Sequence, residues 1–195
     1  TDKGGAVCID GEVRRYAAVP VTEFCQNKRR RLDEVLAVIR EQMPTARQLA
    51  EPFLTIKGRD NIRDKMHNLI RQARYRVYVS LAAEEAAEVA DDLSILRDRG
   101  LKVVLITSRP FALPGITLYY ADKQPGQIRL IADSEWVLTG EISESGESSC
   151  LFSRHQALVT LFKEALINEI QIIKMSEQQD DIAKNQHPSG KEITR

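Results

Sequence analysis

The sequence contains no apolar run near the ~20 residues that a membrane-crossing helix needs, and its start lacks the charged, apolar and small-residue order of a signal peptide. Neither charge is in excess. Because 28 Lys and Arg balance 28 Asp and Glu, the whole chain is not expected to bind polyanions indiscriminately, although local basic patches remain open. Cysteine is sparse and odd in number. Cys8, Cys25 and Cys150 lie far apart with no CxxC, which points to free thiols in a reducing compartment and to a cytoplasmic protein. The three histidines, His67, His155 and His187, share no metal-ligand spacing, so neither a metal site nor a cofactor is expected. G-x-S-x-G, the P-loop and G-x-G-x-x-G are all missing, which removes three common catalytic and nucleotide-binding signatures. There is no internal repeat. A start on Thr1 rather than Met raises the expectation that the chain is part of something longer.

What is present reads as a soluble globular protein: 195 residues, 43% of them hydrophobic, enough for one or two domains. Cys8 to Pro20, "CIDGEVRRYAAVP", has Asp-Gly between short β-prone runs, the signal for a hairpin with a two-residue primed turn. A lone hairpin is marginal in water, so it needs a sheet or domain that the neighbouring residues do not supply. Pro20 then suits a first helical residue, and residues 21–43 read as a helix stopped by Pro44. Its apolar positions Leu32, Leu36, Ile39 and Met43 follow the four-three-four spacing of a coiled-coil seam, which Cys25 extends backwards. That seam predicts dimerisation; the alternative is a helix packed on its own domain. The run Lys28-Arg29-Arg30-Arg31 on the same helix is either a solvated face or a source of phosphate contacts.

Residues 45–51 read as a short helical connector, after which the pattern becomes α/β. Strands are expected at 53–56, 76–81 and 102–107, with helices from Gly58 to about Ala73 and from 83 to 99 between them. Strand–helix–strand at this spacing predicts βαβ units and a parallel sheet core. Shorter strands at 117–120, 127–132, 135–139 and 149–152 follow, with a tight turn at Asp133-Ser134, and then an amphipathic helix over 154–175. Residues 176–195 are nearly devoid of apolar side chains and are expected to be disordered.

Open α/β sheets bind ligands beyond the C-terminal ends of their parallel strands. Those ends carry Ser80, and Thr107-Ser108-Arg109; hydroxyls beside an arginine suit a polyol or an anionic group. Ser80 reads as a ligand-facing hydroxyl, a structural one, or a nucleophile with no identifiable base. Arg109 reads equally as an anion anchor or as a surface residue before the Pro110 turn.

Taken together, these segments resemble the TrmB-like transcriptional regulators. Gly11 to Pro20 resembles the family's wing return strand, in which an arginine, a tyrosine and "AVP" lead into a linker. Ile56-Lys57-Gly58-Arg59-Asp60-Asn61-Ile62 resembles the I-x-G-x-x-x-I start of its effector domain, and Arg99-Gly100-Leu101-Lys102-Val103 its R-G-V-K-V. The resemblance implies an α/β fold, a phospholipase D-like βα sandwich preceded by a wing hairpin and a dimerising coiled-coil helix. The implied divisions are a remnant wing of a winged helix (1–19), a helical dimerisation linker (20–51), an effector-binding domain (52–175) and a disordered tail (176–195). It also explains the orphan hairpin, as the last element of a winged helix whose helix-turn-helix helices are absent.

Relation to phospholipase D raises an enzyme alternative, a phosphodiesterase with the motif H-x-K-x4-D-x6-G. Placing Asp133 and Gly140 on its D and G puts Gly126 at the attacking histidine and Ile128 at the lysine. Neither side chain can do that chemistry, and Arg129 next to them is expected on the opposite sheet face. The expectation is therefore a non-enzyme. It would bind a small effector, in the family typically a sugar, at Ser80, Ser108, Arg109, Gly140 and Glu141. It would dimerise through Leu32, Leu36, Ile39 and Met43 and modulate DNA binding. Either a sugar or a sugar phosphate fits as effector, and a ligand-free dimerisation module is the remaining alternative.

Overall fold

The computed structural model describes residues 3–11, 13–43, 53–144 and 146–186, so Pro44, the expected connector at 45–51 and the final residues 187–195 of the expected disordered tail lie outside the described residues. The chain divides into two compact units, Thr1–Leu49 and Ala50–Arg195.

In the first unit, β1 (Ala6–Ile9) and β2 (Arg15–Ala18) form an antiparallel ladder from Ala6↔Ala18 to Ile9↔Arg15. The ladder closes at Ile9↔Arg15, so the expected two-residue turn at Asp10-Gly11 does not form. The reason is conformational: Gly11 does not adopt the positive φ that a primed turn demands of its second residue. Helix α1 (Val21–Gln42) follows, with Pro20 one residue earlier than expected, at the N-cap with φ −52° and ψ 135°. None of its residues is buried. Leu36 and Ile39 of the seam are about 40% exposed, Leu32 and Met43 more so.

The second unit is one seven-stranded sheet in the order β3-β9-β8-β7-β4-β5-β6. The strands are β3 (Phe53–Lys57), β4 (Arg76–Ser80), β5 (Lys102–Thr107), β6 (Thr117–Tyr120), β7 (Gln127–Ala132), β8 (Trp136–Glu141) and β9 (Ser149–Ser153). Only β4, β5 and β6 run parallel; every other pairing is antiparallel. The sheet is thus mixed where a parallel core was expected. β3 does not join β4 as a βαβ unit would have it but pairs with β9 at the far edge.

Helices cover both faces. On one lie α2 (Arg59–Gln72), α3 (Ala83–Glu88) and α4 (Ala90–Asp98), over a core that includes Ile62, Met66, Val77, Leu93, Leu105, Ile128 and Leu138. On the other lies α5 (Gln156–Gln186), whose Val159, Leu166 and Ile173 pack on Ile106, Ile131 and Val137. Burial on both faces explains the unbroken apolar run of β5.

The expected single helix at 83–99 is interrupted at Val89, where φ −100° and ψ 4° leave the helical region while the side chain stays fully buried. It ends as its glycine requires. Gly100, at φ +78°, donates to the Arg97 carbonyl and Leu101 to that of Leu96, the two bonds of a Schellman cap. Between α2 and α4, the Asp92 carboxylate is 2% exposed and takes His67 Nδ1–H at 2.5 Å and Arg71 Nε–H at 2.7 Å. α5 continues to Gln186, past the expected end at 175 and into the stretch expected to be disordered. The Glu- and Gln-rich sequence there carries helix-forming residues even without apolar ones.

Candidate functional site

Strand register gathers several of the candidate residues at one end of the sheet. The C-terminal ends of β3, β4, β5 and β8 meet there with the N-terminal ends of β7 and β9. Ser80 lies opposite Arg129, Arg129 opposite Thr139, and Glu141 between Gln127 and Ser149. Side-chain alternation puts Ser80, Arg129 and Thr139 on the α5 face, together with Tyr78 and Ile131. Arg129 reaches Glu169 of α5 at 3.7 Å, on the face opposite the buried Ile128, as the alternation in the sequence requires. Glu169 also pairs with the nearly buried Lys123 of the β6–β7 connection, so three charges tie the middle of α5 to this end of the sheet and its loop.

Each candidate has a local environment that narrows what it can do. Ser80 is 2% exposed. The Ser108 hydroxyl accepts the Ala83 N–H at 3.0 Å and so caps the start of α3. Arg109 lies over the Tyr120 ring, its guanidinium carbon 4.0 Å from the centroid, and is exposed. Thr107 is fully buried, and its hydroxyl has no partner among the described residues. At Gly140 a Cβ would lie 2.3 Å from the Ser149 carbonyl oxygen and 2.5 Å from Cys150 Cα. The backbone approaching this glycine belongs to β9. Of the candidates, Glu141 presents an exposed carboxylate without a partner among the described residues, and it lines both a cleft of about 410 Å3 with Gln124, Gln127, Thr139 and Ser149 and a second, smaller one.

That second cleft, about 240 Å3, includes Gly126, the residue that the motif alignment sets at the attacking histidine. Gly126 stands there at φ +79°, and a Cβ would meet the Ile142 carbonyl oxygen at 2.1 Å. No side chain fits where the attacking histidine would be. The Gly126 N–H donates instead to Glu85 Oε1 at 2.7 Å. Asp133 is remote from this end. In the β7–β8 turn, closed by the Glu135 N–H on the Ala132 carbonyl, Asp133 and Ser134 both take positive φ. The Asp133 carboxylate accepts the N–H groups of Arg74, Tyr75 and Arg76.

The smaller cleft also holds residues that the sequence did not single out. Arg59 donates to the Ser143 carbonyl at 3.0 Å, and Arg63 pairs with Glu88 at 2.7 Å. Arg63 Nε and Glu85 Oε2 are buried without a partner among the described residues, one donor and one acceptor in a single cleft. In the sequence these are arginines four apart on one helix and glutamates on another, a pattern indistinguishable from solvated helix faces.

Comparison with known proteins adds the following. Residues 53–165 match the family described as transcriptional regulator TrmB, EBD N-terminal subdomain. The chain is 22% identical over 185 residues to YrhO, an uncharacterized protein of Bacillus subtilis (strain 168), spanning 89% of this chain and 67% of YrhO. Among solved structures it resembles TrmBL2, an archaeal chromatin protein described as showing a novel mode of DNA binding. The TM-score is 0.58 at 18% identity, covering 87% of this chain and 77% of that one. It also resembles NucT from Helicobacter pylori, with TM-score 0.51 at 16% identity over 61% of this chain and 95% of NucT. The fold is the phospholipase D-like one. Among the described residues no helix is long and apolar enough to cross a membrane.

Proposed function

This chain belongs to the TrmB family of transcriptional regulators, and on that premise we propose that it senses a small neutral sugar and passes the signal through a dimer to a DNA-binding module. The observation that carries the reading is Gly126: the motif alignment sets it at the attacking histidine, and the Ile142 carbonyl takes up the space of its missing Cβ. This supports a ligand-binding rather than a phosphodiesterase role for that end of the sheet.

The proposed effector site comprises Glu141, Gly140, Ser80, Ser108 and Arg109, with Glu141 as its anchor. A free carboxylate accepts two hydroxyl hydrogen bonds from adjacent sugar hydroxyls and repels a phosphate. Ser108 and Gly140 contribute by shaping the backbone, and Arg109 stands aside on Tyr120. Leu32, Leu36, Ile39 and Met43 form the proposed dimer seam. Operator contact falls to a helix-turn-helix of which the β1–β2 hairpin is the wing. For a sugar to alter DNA affinity, it must bind one dimer arrangement better than the other.

Isothermal titration tests the site. Glu141→Ala is expected to weaken a neutral sugar by roughly 1.5–3 kcal/mol, the range for hydrogen bonds to a charged group, while Arg109→Ala changes little. A large loss with Arg109→Ala alone would reverse the assignment in favour of an anionic effector, and no loss with either variant would remove the site.

A further inference from the structure

At the end of the sheet opposite Glu141, a cleft of about 690 Å3 lies between α2 and the start of β8. One wall is a row on α2, Lys65, Asn68 and Gln72, spaced to share a helix face. The other is aromatic: Trp136 and Phe152 stack with centroids 5.1 Å apart and planes 3° from parallel. Lys65 projects between the walls, its Nζ 3.7 Å from the Phe152 centroid.

The charges of this cleft are unevenly satisfied. Asp133 spends its carboxylate on three backbone N–H groups, and Glu135 is exposed at the rim. Lys65 is half-buried and pairs with no carboxylate among the described residues; its ring contact is the interaction it has. Burial pushes its pKa below the ordinary lysine value. A partly desolvated cation without a counter-charge is costly, and an anion entering the cleft would relieve it.

We propose that this cleft is a second ligand site, taking a small planar monoanion of the aromatic or heteroaromatic carboxylate class, with its ring against Trp136 and its carboxylate on Lys65. Planarity follows from the parallel ring pair, on which flat groups already stack: Phe152 on Trp136, and the Arg154 guanidinium 5.1 Å from the Trp136 centroid, which a planar ligand would displace. Single charge follows from the surroundings: Asp133 and Glu135 offset two of the three cations Lys65, Arg74 and Arg154, the last lying over Trp136, so one negative charge is matched and a phosphate dianion or a polyanion is not. The site is separate from the Glu141 clefts, and its test does not depend on them.

Trp136 is the only tryptophan in the sequence, so intrinsic emission reports on this cleft alone. The probes are benzoate and nicotinate, with benzamide and nicotinamide as rings without charge and acetate as charge without a ring. A saturable emission change is expected with the aromatic carboxylates, about tenfold weaker binding with the amides, and none with acetate. Lys65→Met is expected to weaken the carboxylates by a similar factor while leaving the amides unchanged. The proposal is overturned if neither carboxylate gives a saturable change, if the amides bind as tightly as the acids, or if Lys65→Met binds the acids normally. The acid–amide comparison on the unaltered protein decides the matter even if the variant does not fold.

Discussion

Gly126, which the motif alignment sets at the histidine position of a phospholipase D, sits where the backbone leaves no room for a side chain. Two independent constraints act on it: a positive φ that side chains disfavour, and a carbonyl oxygen 2.1 Å from the would-be Cβ. Gly126→Ala should therefore cost about 2–5 kcal/mol, strain and overpacking together. Gly100 has a similar φ with nothing within 4 Å, so Gly100→Ala should cost only about 1 kcal/mol. Urea unfolding of the two variants separates the terms. The sequence already contained the glycine and its offset from Asp133, and the motif comparison uses nothing more. Its packing against Ile142 was not, because that contact depends on how the strand ends meet. A second residue-scale consequence concerns Cys150, only 1% exposed, whose thiol burial pushes up to about 11 from an ordinary 9.0. A pKa raised by folding gives stability that is complete below the unfolded value and fades as pH climbs through the folded one. Between about pH 9 and 11 the protein should lose roughly 2–3 kcal/mol that Cys150→Ala does not lose. Parallel curves for the two proteins would show that the thiol ionises without penalty.

At the scale of elements, periodicity carried most of the information. The strands at 102–107, 117–120 and 127–132 match their expected bounds because apolar β-branched runs flanked by turn residues leave little choice. The break at Val89 was invisible, since Ala-rich sequence on either side favours an unbroken helix. The first hairpin was legible as a hairpin, but its turn was misread from Asp-Gly, because Gly11 keeps an ordinary φ. For α1 the proposed seam of Leu32, Leu36, Ile39 and Met43 lies unburied. Leu36→Glu with Ile39→Glu would set like charges in that apolar seam, at a cost of several kcal/mol to association. Sedimentation should then give a monomer with an unchanged melting profile for the effector domain. An unmodified chain already monomeric at micromolar concentration would contradict the seam.

For the molecule as a whole, the sequence revealed the alternation of strands and helices but not how the strands are ordered. Three parallel strands continue into four antiparallel ones, and β3 crosses to the far edge to meet β9, an arrangement set by long-range pairing rather than by local pattern. The same distance effect hid Arg63 and Glu85, which line one cleft from helices about 20 residues apart in the chain. What joins these scales is a scaffold of phospholipase D type with an exposed carboxylate, Glu141, at the end of the sheet proposed to bind the effector. The most direct test is a thermal-shift screen of the protein against neutral mono- and disaccharides alongside their phosphates. At 100 times its Kd a true effector adds roughly 2.7 kcal/mol of stability, a shift of several degrees. At least one neutral sugar should raise the melting temperature by that amount while its phosphate does not. A screen in which no neutral sugar shifts the transition, or only sugar phosphates do, would contradict the account.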